Sequence, residues 1–170
     1  MPRTPQNPPP PKQPTPATRE ARASTDRTEE PVETRARYAH LMSIPTRWMD
    51  NDTYGHVNNV TYYSYFDTVV NAYLIDKGHM DIARSPTIAV VVETMCRYRR
   101  SLTFPDVIDA GVRLAKLGTT SVRYDIGLFR QGEDEVAAHG YFVHVFVDRE
   151  TRRPATIPDP IRRALLGLSR

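Results

Sequence analysis

The chain has 170 residues and a formal net charge of +3, too small for a nucleic-acid grip, with basic residues scattered among acids rather than gathered on one stripe. Its single cysteine, Cys96, excludes an intrachain disulfide and a multi-cysteine metal site and fits a reducing compartment. No apolar run reaches the ~20 residues that span a bilayer, and the first residues lack the apolar segment of a secretory signal. The expectation is a cytoplasmic protein, in which the tripeptides Asn51-Asp52-Thr53 and Asn59-Val60-Thr61 carry no glycan.

Residues 1–36 read as a tail. Nine of the fifteen prolines lie between Pro2 and Pro31, and no aromatic residue precedes Tyr38. Such a stretch has little apolar surface to offset its ordering entropy, so it is expected to be disordered and to take no part in catalysis. A misplaced start codon would also account for it. Residues 37–170 remain as one folded domain with a single core.

From His40 to Met49 the pattern predicts a first strand, with Ile44, Thr46 and Trp48 on one face and Pro45 marking an edge or a bend. The polar turn Asp50-Asn51-Asp52-Thr53-Tyr54-Gly55 follows. A helix is predicted over 57–77, closed by Gly78 at C′. Val60, Tyr63, Phe66, Val70, Tyr73 and Leu74 form its apolar stripe. Tyr62, Tyr65 and Val69 lie off that stripe, which implies a helix buried around most of its circumference.

Strands are then predicted over 88–98, 107–117 and 120–129, the last with Val122, Tyr124, Ile126 and Leu128 on one face. A hairpin turn at Gln131-Gly132-Glu133-Asp134 leads into a fourth strand over 135–147. The run from Tyr141 to Val147 is apolar on both faces and implies a central, covered strand. A short helix over 159–166, with Pro160 at N1, ends the chain. The order is strand, long helix, then four strands read as a meander. One helix cannot serve four parallel crossovers, so the fold class is α+β, a mainly antiparallel five-stranded sheet wrapped around one long central helix.

The densest set of reactive groups is Arg47-Trp48-Met49-Asp50-Asn51-Asp52-Thr53-Tyr54-Gly55-His56-Val57-Asn58-Asn59, just ahead of that helix. Carboxylates there sit at the positive end of the helix dipole. The unpaired amides of the first turn are ready donors for an oxygen that gains negative charge. Acyl transfer needs such a pairing: the carboxylate attacks or activates water, and the amides hold the oxyanion. N-capping is the plain alternative for Asp50, Asp52 or Asn58. Calcium fits poorly, since Tyr54 and Thr61 occupy loop positions that would need oxygen ligands and a bidentate Glu, and a transition metal on Asp50, Asp52 and His56 fits little better.

Asp50-x-Asp52-x-x-Gly55-His56-Val57-Asn58-Asn59-x-x-Tyr62 resembles the signature of the 4-hydroxybenzoyl-CoA thioesterase family of hot-dog proteins. The resemblance runs on through Tyr63-Ser64-Tyr65-Phe66-Asp67, Arg97-Tyr98-Arg99-Arg100-Ser101-Leu102-Thr103-Phe104-Pro105-Asp106 and Leu117-Gly118-Thr119-Thr120-Ser121-Val122-Arg123-Tyr124. It covers about residues 40 to 148 and implies the hot-dog fold. It also implies hydrolysis of an acyl thioester to free acid and coenzyme A, with no metal or redox cofactor. By the same resemblance Asp52 is the catalytic carboxylate, the amide near Asn59 polarises the thioester carbonyl, and Gly55 keeps the approach open.

Around these, His56 and Asn58 would line the pocket or satisfy backbone groups in the turn. Tyr62 belongs to a tyrosine-rich helix that offers aromatic pocket walls, although tyrosines also simply pack. Asp67 is a second acid for the site or, as the preferred reading, a buried carboxylate tied to Arg or to amides. Arg99, Arg100 and Lys116, with the hydroxyls of Thr119 and Thr120, would hold the phosphates of coenzyme A; solvated strand-end charge is the alternative. Glu93 would pair with Arg97 or reach a neighbour's site. Cys96 and His144 read as core residues, His144 as a satisfied one.

The expected partner is an acyl-CoA, with acyl carrier protein as a second thiol carrier. Edge strands and the family's intersubunit pockets imply a homodimer or homotetramer. Two other readings stand beside hydrolysis: a non-catalytic acyl-CoA-binding module, and a dehydratase or hydratase using His56.

Overall fold

The computed structural model describes residues 33–169, so the disorder expected of the tail falls, but for residues 33–36, outside the described residues. The elements in chain order are β1 (His40–Pro45), α1 (Asn59–Gly78), β2 (Thr87–Tyr98), β3 (Val107–Leu117), β4 (Ser121–Arg130), β5 (Ala138–Asp148) and α2 (Asp159–Leu166). Single 3-10 turns occupy Arg35–Arg37 and Trp48–Asp50.

The five strands form one sheet in the order β1-β3-β4-β5-β2, and every neighbouring pair is antiparallel. The meander expected over the last four strands therefore covers only β3, β4 and β5. β3 and β4 are joined by a short turn at Gly118, whose N–H donates to Ser121 O (2.8 Å), and β4 and β5 by a longer hairpin loop that turns at Gly132 with φ +83. Residues 99–106 offer no such turn. They carry the chain across the end of the sheet, so β2 pairs with β5 at the far edge.

Alternation decides which side chains meet α1. Val122, Tyr124, Ile126 and Leu128 of β4 are buried on the helix side, as are Ile108, Ala110 and Val112 of β3 and Phe142 and Phe146 of β5. Each such fully buried aliphatic or aromatic side chain contributes roughly 1.5–3 kcal/mol. The strand expected over 135–147 begins only at Ala138, because residues 135–137 fold into the hairpin loop and Val136 joins a small second core with Tyr38 and Phe129.

α1 meets the sheet through Tyr62, Tyr65, Phe66, Val69, Val70, Tyr73 and Leu74, a run at helical i, i+3, i+4 spacing. The stripe is rotated from the expected one, since Val60 is 64% exposed. Within a single chain the helix is one-sided rather than buried all round. Its end also differs: Gly78 is still helical and His79 takes the left-handed cap (φ 52), its N–H on Leu74 O. Glycine serves a helix contact at 78, where a Cβ would come within 3.3 Å of Ile161 Cγ1 of α2. α2 is fixed further by the Tyr73 hydroxyl donating to Ala164 O at 2.7 Å.

The face of the sheet away from α1 is crossed by residues 33–38. Thr34 bridges to Glu135, Glu33 accepts two hydrogen bonds from Arg113 at 3.0 and 3.2 Å, and the Tyr38 ring lies on Gly111 and Gly127.

Candidate active site

β1 stops at Pro45, which has no N–H to continue a ladder. The N–H and hydroxyl of Thr46 both donate to Asp106 O, at 3.0 and 2.7 Å. The chain turns out of the sheet here, before the Met49 end expected of the strand, which leaves Trp48 81% exposed against the edge of Phe104. Asp50 turns the other way and is buried. Its Oδ2 accepts from Arg47 N (2.7 Å) and the Tyr65 hydroxyl (2.8 Å), and its Oδ1 from Arg47 Nε (3.0 Å). Burial pushes the Asp50 pKa up, but the hydrogen bonds from Arg47 and Tyr65 outweigh it and hold the carboxyl below its ordinary value.

Residues 51–57 form a small hairpin closed by a bridge between Asn51 and Val57. Asp52 N donates to His56 O (2.8 Å) and Gly55 N to Asp52 O (3.1 Å). Gly55 has φ +82, which favours glycine in this left-handed turn, and a Cβ there would meet nothing within 4 Å. One Asp52 oxygen accepts from Tyr54 N at 2.8 Å, an Asx turn. The carboxylate is half-buried, while Tyr54 and His56 are exposed.

The hairpin is clamped to the segment after β2. Thr103 Oγ1 donates to Gly55 O (2.8 Å), Asn51 Nδ2 to Thr103 Oγ1 (3.2 Å), Phe104 N to Asn51 Oδ1 (3.0 Å) and Val57 N to Leu102 O (2.8 Å). These contacts hold Asp52 at the end of the sheet where α1 begins.

Asn58, not an aspartate, caps α1, and the helix starts at Asn59 rather than at Val57. The Asn58 N–H donates to Asp50 O (2.8 Å), its Oδ1 accepts from Val60 N (3.2 Å) and its backbone oxygen accepts from Thr61 N (2.9 Å). Among the described residues the Asn59 N–H has no partner. Asn59 is exposed as a residue, and its N–H belongs to the positive end of a twenty-residue helix, where a developing oxyanion is favoured. The peptide that carries it is polarised, because its carbonyl already accepts from Thr61.

The other expected site residues fall in different places. Tyr62 is buried, edge-on to Tyr98 at 4.9 Å, with its hydroxyl accepting from Leu102 N (3.4 Å). Asp67 is exposed rather than buried and accepts from Asn71 Nδ2 at 2.9 Å. Its helix face turns away from the sheet, and its partner is the Asn71 side chain rather than an arginine or a backbone amide. Arg99 and Arg100 lie at the same end as Asp52. Arg100 is paired with Glu133 (2.6 Å) and Glu135 (3.0 Å), and Arg99 Nε meets His139 Nε2 at 3.4 Å.

Lys116, Thr119 and Thr120 lie at the other end of the sheet. β3 starts beside the loop at 101–106 and runs eleven residues away from it, about 30 Å at strand rise.

Glu93 accepts from the Tyr141 hydroxyl, over whose ring Arg123 stacks at 3.9 Å. Cys96 is half-buried, and burial pushes its thiol up to about 11. His144 is a core residue but not a satisfied one: its Nδ1 has no partner among the described residues, with Tyr124, Phe142 and Phe146 ringed around it. Residues that the sequence did not single out are Asp50 as an anchor, Tyr65, Thr103 and Tyr98. Their roles depend on tertiary partners that no local pattern names.

A family model described as the Thioesterase-like superfamily matches residues 46–165, which include the loop, α1 and the whole sheet beyond β1. The chain belongs to that superfamily and has the hot-dog fold. It resembles the PA5185 protein of Pseudomonas aeruginosa strain PAO1, at 50% identity and TM-score 0.81, over 82% of this chain and 97% of that one. YsmA of Bacillus subtilis strain 168 is 26% identical over 76% of this chain and 86% of its own length. Slr0204, a 1,4-dihydroxy-2-naphthoyl-CoA thioesterase from Synechocystis, shares the fold at TM-score 0.68 and 14% identity, over 74% and 94% of the two chains. No helix among the described residues is long and apolar enough to cross a membrane.

Proposed function

We propose that the protein is an acyl-CoA thioesterase of the 4-hydroxybenzoyl-CoA thioesterase type, with Asp52 as its catalytic carboxylate and the Asn59 N–H as its oxyanion donor. The observation that carries this reading is the unpartnered Asn59 amide at the start of α1, joined to the Asp52 hairpin through Asn58 and Asp50, in a member of the Thioesterase-like superfamily.

The thioester carbonyl oxygen would take the Asn59 N–H as charge develops. Asp52 would attack the carbonyl carbon or take a proton from water that does. In the first route the C–S bond breaks as an anhydride forms between the acyl group and Asp52, and water then cleaves that anhydride to give the free acid and restore the carboxylate. In the second, the water oxygen bonds to the acyl carbon directly and the C–S bond breaks. In both, one proton of the water ends on the sulfur of coenzyme A. The chemistry is that of cytoplasmic acyl-CoA, and acyl carrier protein presents the same thioester. Gly55 shapes the turn, His56, Asn58 and Tyr62 flank the helix start, and Asp67 lies two turns further along α1.

A homodimer or homotetramer fits the surface. β2 is an edge strand with Val91, Val92 and Tyr98 exposed at 46%, 57% and 45%, and a strand edge of this kind pairs with a second copy. Lys116, Thr119 and Thr120 would then serve a neighbour's site rather than their own.

The test is release of free thiol from short, long and aromatic acyl-CoAs and from an acyl carrier protein thioester. Hydrolysis of at least one supports the reading. Saturable binding of acyl-CoA with no thiol released would favour the binding module instead.

A further inference from the structure

Tyr98 ends the edge strand β2 and is 45% exposed, yet its hydroxyl donates to the backbone oxygen of Asn59 at 3.0 Å. In a helix that oxygen already serves the residue four positions on, so the bond is an additional one, made from outside the helix to its first residue. The Tyr98 ring also packs edge-on to Tyr62, in the first turn of the same helix, at 4.9 Å. Tyr98 thus grips the first turn of α1 twice, by its ring on Tyr62 and by its hydroxyl on the Asn59 carbonyl.

Asn59 is consequently held on both sides. Before it, Asn58 is fixed through its N–H to Asp50, its backbone oxygen from Thr61 and its side chain from Val60. After it, Tyr98 fixes the carbonyl. The N–H between these anchors has no partner among the described residues, and Asn59 itself is exposed. Helix ends fray when their first peptides are held only by water, and an oxyanion donor is effective only when its direction is set before charge develops.

We infer that Tyr98 is a positioning residue, which aims the Asn59 N–H by pinning the Asn59 carbonyl. This inference rests on the thioesterase reading of the Asp52–Asn59 segment. Tyr98→Phe removes the hydroxyl and keeps the ring contact with Tyr62, and at a partly exposed strand end it leaves the core intact.

The experiment measures steady-state thiol release and thermal unfolding for wild type, Tyr98→Phe and Asp52→Asn side by side. The expected result is a kcat about tenfold lower in Tyr98→Phe, with KM within about twofold and an unfolding midpoint that matches wild type. A kcat within about twofold of wild type, while Asp52→Asn is inactive, would overturn the role of Tyr98 alone. A loss of kcat matched by a lowered unfolding midpoint would also overturn it, since a purely structural contact behaves that way. Absence of thiol release from wild type, or full turnover by Asp52→Asn, would overturn the reading of the site together with this inference.

Discussion

The Tyr65 hydroxyl donates to Asp50 Oδ2 at 2.8 Å and so ties the buried side of α1 to the segment that presents Asp52 two residues later. Both partners are almost fully buried, at 3% and 2% exposure. Asp50 also receives the Asn58 N–H on its backbone oxygen, so one residue connects the loop, the helix cap and the helix face. A buried carboxylate survives only when its lone pairs are occupied, and Arg47 and Tyr65 occupy these.

Tyr65→Phe leaves Asp50 short of a donor in a buried place. The expected loss is about 1.5–3 kcal/mol, read as a lower urea midpoint at unchanged slope. The pH dependence has a definite sign. The Asp50 carboxyl is held below its ordinary value, so its contribution is present above the ordinary carboxylate range and is lost as pH falls through its folded value. With one donor gone that value rises, and the acid unfolding midpoint of Tyr65→Phe moves to higher pH.

His144 supplies a second acid-sensitive group. Burial among rings lowers its pKa to about 4 from 6.5, so the folded state refuses a proton that the unfolded chain takes. Stability therefore falls as pH drops from about 6.5 to about 4, by on the order of 3 kcal/mol at the lower limit. His40 and His139, both lowered chiefly by burial, act in the same direction. His144→Leu is expected to flatten the decline over this window without abolishing it, as measured by denaturant unfolding at a series of pH values.

Gly127 tests how the segment at 33–38 is seated. A Cβ at 127 would lie 2.6 Å from Tyr38 Cζ, and Tyr38 is pinned by Glu33, by Arg113 across its ring and by the edge of Phe129. Gly127→Ala is expected to cost roughly 1–3 kcal/mol. The cost shrinks in a Tyr38→Ala background, where the clash is gone, and a double-mutant cycle in denaturant measures the difference.

Much of this architecture was legible in local pattern. Alternation marked β2, β3 and β4 to within a residue at each end, and the dense apolar run from Val60 to Leu74 marked α1, though with its stripe rotated from the one that packs on the sheet. The helix start was misread because Val57 is apolar, yet it is buried as part of the hairpin below the cap. The end was misread because Gly78 is placed by Ile161, which lies far away in sequence. Sheet order was not legible, since nothing in β2 says that it pairs with β5 rather than with its neighbour in sequence.

The same division holds at the site. The cluster from Asp50 to Asn59 stands out by its chemistry, but which of its two acids is buried depends on Tyr65 and Arg47. That Lys116, Thr119 and Thr120 sit at the other end of the sheet follows from the direction of β3, which only the fold supplies.

The central claim is tested most directly by comparing kcat for acyl-CoA hydrolysis in wild type and Asp52→Asn, with acyl-CoA affinity measured on both. The account predicts that turnover falls by at least about a hundredfold while affinity and the unfolding midpoint stay within error of wild type. Turnover by Asp52→Asn equal to that of wild type would contradict it.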